Sequence, residues 1–167
     1  MSFNLKGVKA ESDIGILYNI VGFIVVQWGF AEQSLDLMVA NIFHYFDGHV
    51  LLKNRPINLG SKLKFLKECF NKIPELTEFR KESEELFLRF ENAGIKRNDI
   101  VHGAILDITK KDGAFMFLKI DVKPTKYHSQ RLVLLTESEW PVFQKELLDL
   151  GRDGQSFTHM IWNRFKV

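Results

Sequence analysis

Apolar residues in the first part of the chain recur at helical spacing. With 100° per residue and Glu32 set at zero, Val21, Val25, Trp28, Leu35, Val39 and Phe46 fall within about 60° of it. Phe23, Val26, Phe30 and Leu37 lie near the opposite side. A helix that is apolar on two faces must be covered on two sides, by the rest of a bundle or by a partner subunit. Ser12 or Asp13 is a suitable N-cap, and Asp47-Gly48 marks the end. Residues 14–31 are eighteen consecutive uncharged positions. Glu11 and Asp13 precede them, Asn19 and Gln27 interrupt them, and the helical pattern runs on past them. This predicts a long, largely buried helix of a soluble bundle rather than a signal peptide or a membrane span.

Asn58 can cap a second helix over 59–71, with Leu59, Leu63, Leu66 and Phe70 on one side and Lys62, Lys64, Lys67 and Lys72 on the other. After Pro74 a third helix over about 75–101 carries Leu76, Phe79, Leu86, Phe87, Phe90 and Val101 on one face. Gly94 lies on that face, where it would admit a neighbouring backbone. Past Gly103 the period changes to two. Residues 104–108 and 114–122, joined by Lys-Lys-Asp-Gly, predict a hairpin, and 131–135 a third strand. Thr136-Glu-Ser-Glu139 reads as a capping box opening a helix, with Pro141 tolerated in its first turns. A further short helix is expected over 155–165. The pattern therefore predicts one mainly α domain: a helical bundle over 12–103, a small antiparallel sheet over 104–135 and a C-terminal helical segment over 136–167.

The composition fits a single globular domain, 167 residues with 46% apolar and 26% charged. A net charge of +2 neither requires nor excludes a nucleic-acid partner, since a local basic cleft fits inside a near-neutral total. Cys69 is the only cysteine, which excludes an internal disulfide and a cysteine zinc cluster and suits a reducing cytoplasm.

The informative stretch is 95–103, Ile-Lys-Arg-Asn-Asp-Ile-Val-His-Gly. With Asn98 at zero, the apolar stripe of the third helix centres near −60°. Arg97 falls at about −100°, inside it, and Asn98 and His102 lie along its edge. A guanidinium on an apolar face needs a partner. Glu32, at the middle of the stripe in the first helix, is the matching acidic anomaly.

Arg97 to His102 reads R-N-x-x-x-H and closes a helix that follows one carrying an acidic residue. In this the chain resembles the HEPN superfamily over roughly residues 12–103. The resemblance implies a compact helical bundle and, through the R-x4–6-H motif, ribonuclease activity. It also implies a homodimer in which two copies of the motif share a cleft, and a toxin or defence role with a neutralising protein as partner. Carried over by position, the motif's Arg is Arg97, its polar neighbour Asn98 and its His His102; Glu32 completes the candidate catalytic set. The residue types suit the reaction. RNA brings its own nucleophile, the 2′-hydroxyl, so no metal or cofactor is called for. Histidine can move the proton, and arginine offers a planar fork to phosphate oxygens.

The same residues also admit a non-catalytic binding or assembly module, with Glu32 and Arg97 as a structural ion pair fixing helix register. Other candidates are thinner. His44 and His49 lack a nearby third ligand, Cys69 lacks an activator, and the Lys face of the second helix reads as a solvated surface.

Overall fold

The computed structural model describes residues 10–109, 114–121 and 128–166. Its elements run α1 (Ala10–Tyr45), α2 (Gly48–Leu51), α3 (Leu59–Lys72), a 3-10 segment (Pro74–Phe79), α4 (Arg80–Val101), β1 (Ala104–Thr109), β2 (Ala114–Asp121), β3 (Ser129–Leu135) and α5 (Glu139–Phe165). The protein is mainly α with one three-stranded antiparallel sheet, ordered β1-β2-β3. The turn expected at 110–113 and most of the loop before β3 lie outside the described residues.

Local chemistry accounts for most boundaries. Asn58 caps α3 by accepting from the Ser61 amide at 2.8 Å. The capping box at α5 is reciprocal: the Glu139 amide donates to Thr136 Oγ1 and the Thr136 amide to Glu139 Oε2, each at 3.2 Å. Pro74 opens a tight 3-10 segment before α4, with Leu76 and Phe79 buried, where the pattern suggested uninterrupted α-helix.

The C-terminal half of α5 is not a separate helix, because the element continues through Gly151 and Gly154. Those glycines make room instead of breaking the helix. A Cβ on Gly151 would lie 2.5 Å from the Phe30 ring, and one on Gly154 would collide with the Ser34 side chain. Gly154→Ala should therefore cost about 1–3 kcal/mol in a denaturant melt through overpacking. Gly60→Ala is the control: its Cβ would meet only Asn58 Oδ1 at 3.8 Å, and it should stabilise by about 0.5 kcal/mol. Gly94 likewise gives way to side chains rather than to a backbone, since a Cβ there would meet Leu59 and Trp28.

Among the described residues two compact units can be told apart, one within 10–26 and 95–145 and the other within 27–94 and 146–166. In the second unit the core is aromatic: Phe70 packs on Phe87 and Phe157 with ring centroids 5.7 Å apart, and Trp28 meets Phe90 edge-on. In the first unit, Phe23 stacks edge-on against Trp140 at 5.6 Å, and the sheet buries Phe115, Phe117 and Leu135.

Register fixes what each sheet face carries. Phe115 pairs with Leu135, Phe117 with Val133, Lys119 with Arg131 and Asp121 with Ser129. Alternation puts all of these on one face, which runs from apolar to charged along the strands. The other face leaves Ile120, Leu132 and Leu134 about half exposed.

The long burial expected of α1 holds on one side only. Ile20, Ile24, Trp28, Ala31, Leu35 and Ile42 are buried, whereas Tyr18 and Val26 are about 70% exposed and Val25 is 43% exposed. The stretch Ile14–Tyr45 is long and apolar enough to cross a bilayer, a test that core helices of water-soluble proteins also pass.

Candidate functional site

The site lies in the first unit, where α4 ends. Asn98 and His102 are one turn apart, and the His102 amide still donates to the Asn98 carbonyl at 3.1 Å, so both side chains leave the same side of the last turn. Gly103 follows at a close approach: a Cβ there would press on the Asp99 carbonyl and lie 2.9 Å from Phe117 Cβ. The missing side chain lets the helix end sit directly against β2.

Arg97 Nη1 donates to Asn98 Oδ1 at 2.8 Å and to His102 Nε2 at 3.0 Å. A guanidinium only donates, so Nε2 accepts here and the ring proton belongs on Nδ1. His102 and Asn98 are exposed, whereas Arg97 is half-buried and its Nε is buried without a partner among the described residues. The arrangement presents one guanidinium, one amide and one imidazole as a connected set open to solvent.

Beside this set is a cleft of about 380 Å³ lined by Ile95, Asn98, Asp99, His102, Lys119, Asp121 and Arg131. Its far wall is the charged end of the sheet face. Arg131 donates from both terminal nitrogens to Asp99 and from Nε to Asp121 at 3.0 Å. Hydrogen bonds donated to Asp99 and then to Asp121 push the arginine's pKa up, so it stays charged. Lys119 reaches the Asn98 carbonyl at 3.4 Å, at the end of α4 where the helix dipole favours a cation.

The sequence pattern did not single out Asp99, Lys119, Asp121 or Arg131. Their signal is the charged continuation of the Phe115/Phe117 and Val133/Leu135 alternations, which becomes a site only once strand register is known. A larger cleft of about 540 Å³ in the same unit, walled by Phe23, Phe115, Leu135 and Trp140, holds none of the motif residues.

The structure thus brings Arg97, Asn98 and His102 together, and Glu32 takes other partners. Glu32 accepts from Trp28 Nε1 and from Lys62 Nζ, both at 3.1 Å, and Lys62 also pairs with Asp36 at 2.7 Å. The expected Glu32–Arg97 ion pair is replaced by this cluster, for a geometric reason. The buried stripe of α1 centres on Ile24, Leu35 and Ile42, roughly 80° round the helix from Glu32. Glu32 is therefore at the edge of the stripe.

Lys62, expected on a solvated face, is 4% exposed. Burial opposes its charge, but hydrogen bonds to Asp36 and Glu32 outweigh that, and its pKa is raised. Cys69 is buried, and burial pushes its thiol up to about 12, which leaves it inert as a nucleophile.

Comparison with family models, with curated proteins and with solved structures finds no match.

Proposed function

We propose that the protein is a metal-independent endoribonuclease of the HEPN type, cleaving single-stranded RNA in the cytoplasm as a homodimer. The observation that carries this reading is the Arg97 guanidinium bonded at once to Asn98 and His102 on the rim of an open cleft. His102 Nε2 can take the proton from a ribose 2′-hydroxyl once substrate phosphate draws the Arg97 donor away from its single lone pair. The 2′-oxygen then bonds to phosphorus and the bond from phosphorus to the 5′-oxygen breaks. The proton held by His102 is available to that leaving oxygen. Arg97 supplies fixed positive charge to the non-bridging oxygens as the phosphorane forms, and Asn98 orients the guanidinium. The products are a 2′,3′-cyclic phosphate and a 5′-hydroxyl. Glu32 has no step in this chemistry; its role is to hold Lys62.

The exposed side of α1 supports the dimer, since Tyr18, Val25 and Val26 present an apolar strip that a second copy would cover. Sedimentation should show a dimer at micromolar concentration, and a monomer there would contradict the shared-cleft arrangement. Incubation with single-stranded RNA in EDTA should give cleavage, and a requirement for added Mg²⁺ would overturn the mechanism.

A second reading, a binding module without catalysis, draws on the half-exposed Ile120, Leu132 and Leu134 of the outer sheet face. A neutralising protein partner would suit that face under either reading.

A further inference from the structure

The cleft holds a cation that the catalytic triplet does not use. Lys119 and Arg131 are direct cross-strand partners on the same sheet face, where like charges repel. Arg131 is answered by two carboxylates, Asp99 and Asp121, which account for three of its donors. Lys119 is not answered in this way. Among the described residues it forms no ion pair, and its one hydrogen bond is to the Asn98 carbonyl. Arg131 balances one of the two carboxylate charges of the cleft wall and Lys119 the other, so the wall is neutral in sum. Both carboxylates are hydrogen-bonded to Arg131, however, which leaves the Lys119 ammonium with donors open to the cleft beside Asn98 and His102. An ammonium with donors to spare, half-buried on a rigid strand and lining the same cleft as the candidate base, is suited to one phosphate oxygen.

We propose that Lys119 is a substrate-binding residue that grips an RNA backbone phosphate flanking the one to be cleaved. In this role the Asp99–Arg131–Asp121 cluster works as a positioning device, holding β2 and β3 against the end of α4 and keeping the carboxylates from competing for Lys119. The inference rests on the ribonuclease reading and assigns the sheet a role in that reaction. It also predicts which kinetic constant changes: a flanking phosphate is bound equally in the ground state and the transition state, so its loss falls on KM and not on kcat.

The test measures binding and cleavage separately. A short single-stranded RNA carrying 2′-O-methyl groups cannot supply the nucleophile, so its fluorescence anisotropy reports binding alone. Lys119→Gln should weaken binding roughly tenfold at low salt. It should also reduce the slope of log affinity against log salt by about 0.7, the value of one phosphate contact on a single strand. Lys119→Arg should restore most of both. With cleavable RNA, the Lys119→Gln loss should appear in KM.

Unchanged affinity and slope in Lys119→Gln, in a protein that cleaves RNA, would overturn this inference and leave the ribonuclease standing. Lys119-dependent binding in a wild-type protein that cleaves no RNA would do the reverse. Wild-type protein that neither binds the methylated RNA nor cleaves RNA would overturn both.

Discussion

Replacing His102 with alanine should reduce RNA cleavage by about 10²–10⁴-fold, the usual contribution of a positioned proton-transfer group. The melting temperature should hardly move, because His102 is exposed at the end of α4 and its side-chain bond is to Arg97 at the surface. The pairing of these two results separates a catalytic group from a structural one. Arg97→Lys should also lose most activity while the fold survives, since lysine keeps the charge but has no second terminal nitrogen to offer phosphate oxygens while the first is bonded to Asn98 and His102. Cleavage that persists in purified His102→Ala protein would assign the chemistry elsewhere.

The largest effect on stability should come from the cluster around Lys62. Glu32→Gln combined with Asp36→Asn strands an ammonium that is 4% exposed, and should cost about 3–5 kcal/mol in a denaturant melt. Lys62→Met should cost less, about 1–2 kcal/mol, because it removes the buried charge and leaves two carboxylates that water can reach. A double variant as stable as the wild type would show that the cluster contributes nothing.

The pH dependence follows from the direction of the Lys62 shift. Its folded pKa is raised above the ordinary value of 10.5, so the folded state binds this proton more tightly than the unfolded state does. The stabilisation is complete below about the ordinary lysine value and is lost as pH rises through the folded one. Wild-type stability should therefore fall more steeply than that of Lys62→Met in strongly alkaline melts.

Much of the fold was legible because its signals are local. Asn58 and the Thr136–Glu139 box are contacts across three residues, and the change of period after Gly103 is visible within ten. The positions that misled are those decided by distant neighbours. Gly151 and Gly154 look like a break in α5, yet they make room for Phe30 and Ser34, more than a hundred residues earlier in the chain. Lys62 sits three residues after Leu59 and four before Leu66, which already places it on the apolar side. Its neighbours Lys64 and Lys67 made it read as part of a solvated face. Glu32 reads as central because Val21, Val25 and Val39 flank it in angle, yet Val25 is 43% exposed and the buried stripe is set by what packs against α1.

The motif of the site was readable as Arg97-Asn98-x3-His102, since all its members leave one helix turn. Its far wall was not. Lys119 and Arg131 belong to strands whose register depends on the pairing of Phe115 with Leu135, and Asp99 looks like any helix carboxylate until Arg131 is found opposite it.

In the proposed reaction RNA supplies its own nucleophile and His102 moves the proton. End-group analysis of the fragments tests this most directly. Single-stranded RNA incubated with the protein in EDTA should yield 2′,3′-cyclic phosphate and 5′-hydroxyl ends, and His102→Ala should yield neither. Fragments ending in 3′-hydroxyl and 5′-phosphate, or the same cyclic ends from the His102→Ala protein, would contradict it.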